Sequence, residues 1–185
     1  MVAGRRIGAR VSGRITLVLG GARSGKSRKA EALARQTGLS RVYLATAQAF
    51  DDEMRERIDQ HRADRAGDGW ETIEEPIDLA DALFRASTAE TVILVDCITL
   101  WLSNVMLAER PVGAAIDALL ATLGAATGPV ILVSNEVGLG LVPETPLGRA
   151  FRDAQGRLNQ RVAALADHVV FMAAGLPLTL KEPAP

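Results

Sequence analysis

Ile15-Thr16-Leu17-Val18-Leu19-Gly20-Gly21-Ala22-Arg23-Ser24-Gly25-Lys26-Ser27 is the stretch from which the fold can be read. Its first five residues are apolar or β-branched, the composition of a strand. Residues 27–36 have helical composition, so a glycine-rich turn joins a strand to a helix. Glycine at both ends of the turn lets the backbone bend tightly, and successive N–H groups can then face inward around an anion. The helix that follows adds the positive end of its dipole. Lys26 supplies a point charge for the β- and γ-phosphates, and the Ser27 hydroxyl is placed to hold Mg²⁺. Gly20, Gly21, Ala22, Arg23, Ser24, Gly25, Lys26 and Ser27 therefore form a complete P-loop. A plain glycine-rich β–α turn would not need Lys26 and Ser27 where they stand. The sequence predicts a site for a nucleoside triphosphate with Mg²⁺.

The rest of the chain is read outward from that loop. Strands are expected over 41–47, 70–74, 91–96, 129–134, 167–173 and 177–181, and helices over 51–66, 77–86, 98–108, 112–126 and 147–166. Thr91-Val92-Ile93-Leu94-Val95-Asp96 is apolar without a break until its final carboxylate. Such strands are buried on both faces, as in a parallel sheet covered by helices. The alternation implies an α/β P-loop NTPase, a three-layer sandwich with a mostly parallel central sheet. Its ligands are expected beyond the C-terminal ends of the strands.

With 185 residues, 48% hydrophobic and 23% charged, the chain has the composition of one globular domain, here residues 15–185. Residues 1–14 carry Arg5, Arg6, Arg10 and Arg14 and lack the apolar core of a signal peptide. They are read as a disordered basic extension. A formal net charge of -1 argues against a general nucleic-acid footprint. No apolar run is long enough to span a bilayer, so no membrane insertion is expected. The single cysteine, Cys97, cannot form an internal disulfide, which fits a reducing cytoplasm. Its position beside an apolar run suits plain packing.

Asp96 closes a strand downstream of the P-loop, where a second Mg²⁺-associated carboxylate belongs. The competing role is an N-cap for the helix beginning near Ile98. On the helix expected over 51–66, Met54, Ile58, His61 and Arg65 form one stripe, with Arg62 beside it. Two arginines could hold phosphate oxygens and keep the imidazole neutral and nucleophilic. From the residues alone, a partly exposed helix histidine near solvated arginines is the stronger reading. His168, at a strand start, reads as structural. Ser134-Asn135-Glu136-Val137 is not a guanine-reading N-K-x-D motif, and Asp96-Cys97-Ile98-Thr99 supplies no D-x-x-G switch. A Ras-like switch is therefore disfavoured. A kinase for another small alcohol, and an ATPase acting on nucleic acid, remain the alternative readings.

Several stretches taken together add a resemblance. They are the P-loop running on to Ala30-Glu31-Ala32, Tyr43-Leu44-Ala45-Thr46-Ala47, Asp51-Asp52-Glu53-Met54, and Arg57-Ile58 before His61-Arg62. Asp96-Cys97-Ile98-Thr99, Ser134-Asn135-Glu136-Val137-Gly138, Phe151-Arg152-Asp153, Gly156-Arg157 and Asn159-Gln160 follow in order. In order and spacing the chain resembles the bifunctional adenosylcobinamide kinase/adenosylcobinamide-phosphate guanylyltransferases of cobalamin assembly, from Arg14 to Lys181. The resemblance implies phosphorylation of adenosylcobinamide by ATP or GTP. It also implies GMP transfer from GTP, through a GMP-histidine, to adenosylcobinamide phosphate. It assigns the histidine to His61, against the reading from the residues alone. Nucleotide contacts are implied for Ala45, Thr46, Ala47, Arg62, Ala63, Asp64, Arg65, Glu74 and Asp96, and a homotrimer around a RecA-like core is implied as well. Two positions depart from the pattern: Gln60 stands where some relatives carry a second histidine, and Asp96 where others carry glutamate.

Overall fold

The computed structural model describes residues 15–48, 56 and 67–182. Among them seven strands form one sheet: β1 (Ile15–Gly20), β2 (Ser40–Ala45), β3 (Trp70–Glu74), β4 (Thr91–Asp96), β5 (Val130–Asn135), β6 (His168–Ala173) and β7 (Leu176–Lys181). Their spatial order is β3-β2-β4-β5-β1-β6-β7. All neighbours pair in parallel except β6 with β7, which are antiparallel and joined through Gly175 at φ 81°. The helices are α1 (Lys26–Gln36), α2 (Leu79–Ala86), α3 (Ile98–Leu107), α4 (Val112–Ala125) and α5 (Pro146–Leu165). The helix expected over 51–66 and the basic extension 1–14 lie outside the described residues, apart from Glu56.

The period-2 pleat sorts the apolar runs onto two faces. Ile15, Leu17 and Leu19 of β1, Ile93 and Val95 of β4, and Val130 and Leu132 of β5 pack against α2–α5. Leu83, Trp101, Leu102, Leu119, Leu123, Leu158 and Val162 meet them from those helices. The alternate residues Val18, Leu94, Ile131 and Val133 face α1. On that helix Ala30 and Ala34 lie one turn apart and are fully buried, so small side chains bring its backbone close to the sheet. Each large side chain buried this way contributes about 1.5–3 kcal/mol. The unbroken apolar strands are thus explained by a sheet covered on both faces.

Strands 70–74 and 91–96 have the boundaries that the composition predicts, and the other observed elements differ by one or two residues. The helix expected from Ile77 begins at Leu79 because Glu75 Oε1 accepts the N–H groups of Ile77 and Asp78, at 3.0 and 2.8 Å. That holds a turn ahead of the first helical residue. α1 stops where the Thr37 hydroxyl donates to Ala34 O at 2.7 Å and Gly38 takes φ 69°.

Gly128, buried between α4 and β5, shows what close backbone approach demands. A Cβ built there would lie 2.2 Å from Thr88 O and 2.3 Å from Thr91 O, contacts no side chain can relieve. Gly124, on the exposed surface of α4, would meet nothing within 4 Å. Gly128→Ala is expected to destabilise the domain by about 2–4 kcal/mol, whereas Gly124→Ala is expected to stabilise it by up to about 1 kcal/mol. Urea unfolding of the two variants checks both signs.

Candidate active site at the C-terminal edge of the sheet

Gly20, Ala45, Glu74 and Asp96 are the last residues of β1, β2, β3 and β4, so four of the residues singled out in the sequence share one edge. The P-loop rises from that edge. Gly20 has φ 152°, and a Cβ on it would lie 2.5 Å from Met172 O and 2.7 Å from Ser24 Oγ. Arg23 (φ 55°) and Gly25 (φ 93°) take left-handed conformations that wrap the loop. Gly25 caps α1 without a side-chain hydrogen bond, which leaves the first-turn N–H groups for an anion. The buried Ser24 hydroxyl has no hydrogen-bond partner among the described residues and is a donor available to a phosphate oxygen. Ala22 and Arg23 are exposed, and Gly21 and Ser27 are half-buried.

Lys26 is only 8% exposed and donates from Nζ to Gly21 O. Burial pushes its ammonium pKa down, while the neighbouring Asp96 carboxylate pulls it back. A phosphate beside it would restore the charge balance that burial disturbs.

Asp96 Oδ2 accepts the Tyr43 hydroxyl at 3.0 Å. The Tyr43 ring is itself held edge-on to Trp70, with centroids 5.9 Å apart. The capping role goes to Cys97, whose Sγ accepts from Leu100 N at 3.5 Å at the start of α3. Asp96 is therefore not the helix cap. Burial pushes the Cys97 thiol up to about 11, so it stays protonated at neutral pH.

Among the described residues no group of three or more His, Cys, Asp or Glu could cage a metal. The available donors are the Ser27 hydroxyl and the oriented Asp96 carboxylate. That sparse set suits Mg²⁺, which keeps several waters and takes most remaining ligands from substrate phosphates.

Thr46 is fully buried, and its polar groups are all engaged. Its hydroxyl donates to Cys97 O (2.8 Å) and accepts from Cys97 N (2.9 Å). Its N–H reaches Asp96 O at 3.3 Å, and its carbonyl accepts from Asn104 Nδ2 at 2.8 Å. Thr46 thus ties the ends of β2 and β4 together. Glu74 is exposed at the end of β3, opposite Ala45. His61, Arg62, Ala63, Asp64 and Arg65 lie outside the described residues.

Residues to which the sequence reading gave no role of their own complete the edge. Asn104 donates to both Thr46 O and Pro76 O, joining the loops that leave β2 and β3. Thr99, Ser134, Gln155 and Asn159 form a buried polar network under the end of β5. A usable signal was present in α5: Gln155 and Asn159 are four apart and lie on the stripe that buries Leu158 and Val162.

Comparison with known proteins agrees over nearly the whole chain. Residues 16–180 match the family described as "Cobinamide kinase / cobinamide phosphate guanyltransferase". The "Bifunctional adenosylcobalamin biosynthesis protein CobP" of Pseudomonas aeruginosa is 50% identical over 167 residues, covering 89% of this chain and 96% of that one. The "Bifunctional adenosylcobalamin biosynthesis protein CobU" of Escherichia coli is 38% identical over 180 residues, covering 89% and 98%. Among solved structures, the flagellar accessory protein FlaH from Methanocaldococcus jannaschii superposes with a TM-score of 0.59 at 18% identity, over 93% of this chain and 80% of that one. That likeness is one of fold.

The Tyr43–Asp96 contact yields a graded test. Asp96→Asn is expected to raise the Mg²⁺ concentration needed for half-maximal triphosphate turnover by about tenfold, equivalent to ~1.4 kcal/mol. Tyr43→Phe keeps the ring in place and removes only the donor, so a smaller shift in the same direction is expected. Mg²⁺ titrations at fixed triphosphate check the order. Unchanged curves for both would take Asp96 out of the metal shell.

Proposed function

The chain belongs to the cobinamide kinase / cobinamide phosphate guanyltransferase family, and on that premise we propose that it carries out two successive transfers on one corrinoid. In the first, ATP or GTP phosphorylates the aminopropanol hydroxyl of adenosylcobinamide. In the second, GTP guanylylates His61 with release of pyrophosphate, and the GMP passes to adenosylcobinamide phosphate to give adenosylcobinamide-GDP. The observation that carries the reading is the P-loop and the Asp96 carboxylate on one sheet edge, in a chain of which 89% aligns with bifunctional relatives.

The residues divide the work as follows. The P-loop N–H groups, the Ser24 hydroxyl and Lys26 hold and neutralise the β- and γ-phosphates, so the phosphoryl step is driven by positioning and charge. Ser27 and Asp96 would hold Mg²⁺, which would supply positive charge to neutralise the phosphates. In the guanylyl step His61 Nε2 or Nδ1 attacks the α-phosphorus, the bond to pyrophosphate breaks, and Arg62 and Arg65 hold the displaced charge. Ala45, Thr46, Ala47, Ala63, Asp64 and Glu74 contact the nucleotide, with Thr46 also fixing the turn between β2 and β4.

The partners are adenosylcobinamide, its phosphate, ATP and GTP, and not nucleic acid. A homotrimer in the cytoplasm is part of the same reading. Support for assembly comes from β7, an edge strand whose Leu176, Leu178 and Leu180 share one face and are 72%, 59% and 58% exposed. No helix among the described residues is long and apolar enough to cross a membrane.

Labelling from α-³²P-GTP tests the proposal. Wild type is expected to acquire acid-labile, base-stable label, and His61→Ala and His61→Asn to acquire none while still phosphorylating adenosylcobinamide. His168→Ala, at the half-buried start of β6, is expected to label normally. Label persisting on both His61 variants would show that another residue carries the GMP.

A further inference from the structure

Strand β5 lies between β4, which ends in Asp96, and β1, which ends in the P-loop. Whatever emerges from its C-terminal end therefore emerges between the group expected at the metal and the group expected at the phosphates. The chain there runs Asn135-Glu136-Val137-Gly138, a stretch that neither the P-loop nor the histidine chemistry uses. Glu136 is half-buried, and its N–H donates to Gly20 O at 3.1 Å, which fastens it to the first residue of the P-loop.

Two features hold its carboxylate in place. Oε1 accepts the Gly138 N–H at 2.8 Å, and a Cβ on Gly138 would lie 2.9 Å from that oxygen, so glycine leaves room for the contact. The other oxygen, Oε2, takes no hydrogen bond among the described residues, and the carboxylate makes no ion pair there. Beneath it the end of β5 is braced by the buried network. Ser134 Oγ donates to Asn159 Oδ1 (2.6 Å), and Gln155 Nε2 donates to Ser134 Oγ and Asn159 Oδ1 (3.0 and 2.9 Å). Asn159 Nδ2 donates to Asn135 O (3.1 Å), and Asn135 N donates to Thr99 Oγ1 (2.7 Å). Fixing a strand end with four buried polar side chains carries a desolvation cost that an apolar core would avoid. It sets the backbone at Asn135 and Glu136 rigidly, as a reacting group requires.

We propose that Glu136 is the general base of the phosphoryl step. Its carboxylate takes the proton from the substrate hydroxyl as that oxygen bonds to the γ-phosphorus. The bond from the γ-phosphorus to the β,γ-bridging oxygen breaks, the nucleoside diphosphate leaves with the electron pair, and Glu136 returns the proton to solvent. The substrate class is a primary or secondary alcohol. The guanylyl step at a neutral histidine has no hydroxyl proton to remove and does not need this carboxylate. The assignment rests on the two-reaction reading above.

The test uses the full chain with adenosylcobinamide, ATP and Mg²⁺, and in parallel α-³²P-GTP. Glu136→Gln keeps an oxygen for the Gly138 N–H while losing the base. Its kcat for phosphorylation is expected to fall by about 100-fold or more, with KM for ATP and the thermal midpoint little changed. Histidine labelling is expected to stay within about threefold of wild type, the extent to which a neighbouring charge perturbs it. Glu136→Asp is expected to recover part of the kcat. Phosphorylation by Glu136→Gln at near wild-type kcat would overturn the assignment, as would equal loss of phosphorylation and labelling, which marks a structural role. Absence of phosphorylated product from wild type would instead overturn the two-reaction reading itself, and this assignment with it.

Discussion

A parallel sheet buried on both faces leaves no face free for chemistry, and this constraint organises the molecule. Between α1 on one side and α2–α5 on the other, the strands carry apolar side chains up and down. Polar groups can then appear only where the strands end. Gly20, Ala45, Glu74, Asp96 and Asn135 are the ends of β1 to β5. The polar edge is a consequence of how the core is closed.

Closing the core also fixes how the edge is held. Thr46 crosses from the end of β2 to Cys97 beyond the end of β4, and Asn104 takes up the carbonyls of Thr46 and Pro76. The loops that leave β2, β3 and β4 are therefore bound to one another by buried polar groups. In a dry interior each such group would cost about 1–3 kcal/mol if left unpaired. The same logic explains the Thr99–Ser134–Gln155–Asn159 network at the neighbouring strand end. It differs only in that Gln155 Oε1 finds no partner among the described residues.

Much of this was legible in the sequence, because the dominant signals are local. The P-loop is a contiguous string whose function depends on its own backbone. The apolar run closing on Asp96 announced a strand covered on both faces, with a carboxylate at its end. What was not legible depended on contacts between distant segments. Asn104 and Thr99 sit in a helix whose other buried residues are apolar, and nothing nearby in sequence tells which carbonyl or hydroxyl they meet. Cys97 looked like packing and proves also to cap α3, in the place the sequence would have allowed Asp96. Tyr43 read simply as part of a strand, yet its hydroxyl orients the carboxylate at the end of the next strand over. The assignment of His61 came from resemblance, since a stretch of sequence with one histidine among arginines has no local feature that separates nucleophile from surface.

The central claim is that one triphosphate site on this edge serves both transfers. The most direct measurement titrates β,γ-methylene-ATP, which occupies a P-loop without donating its γ-phosphoryl group, against GTP-dependent guanylylation of the protein and against phosphorylation of adenosylcobinamide. A shared site predicts competitive inhibition of both, with the same inhibition constant. Guanylylation that proceeds undiminished at analogue concentrations that abolish phosphorylation would contradict it and require a second nucleotide site.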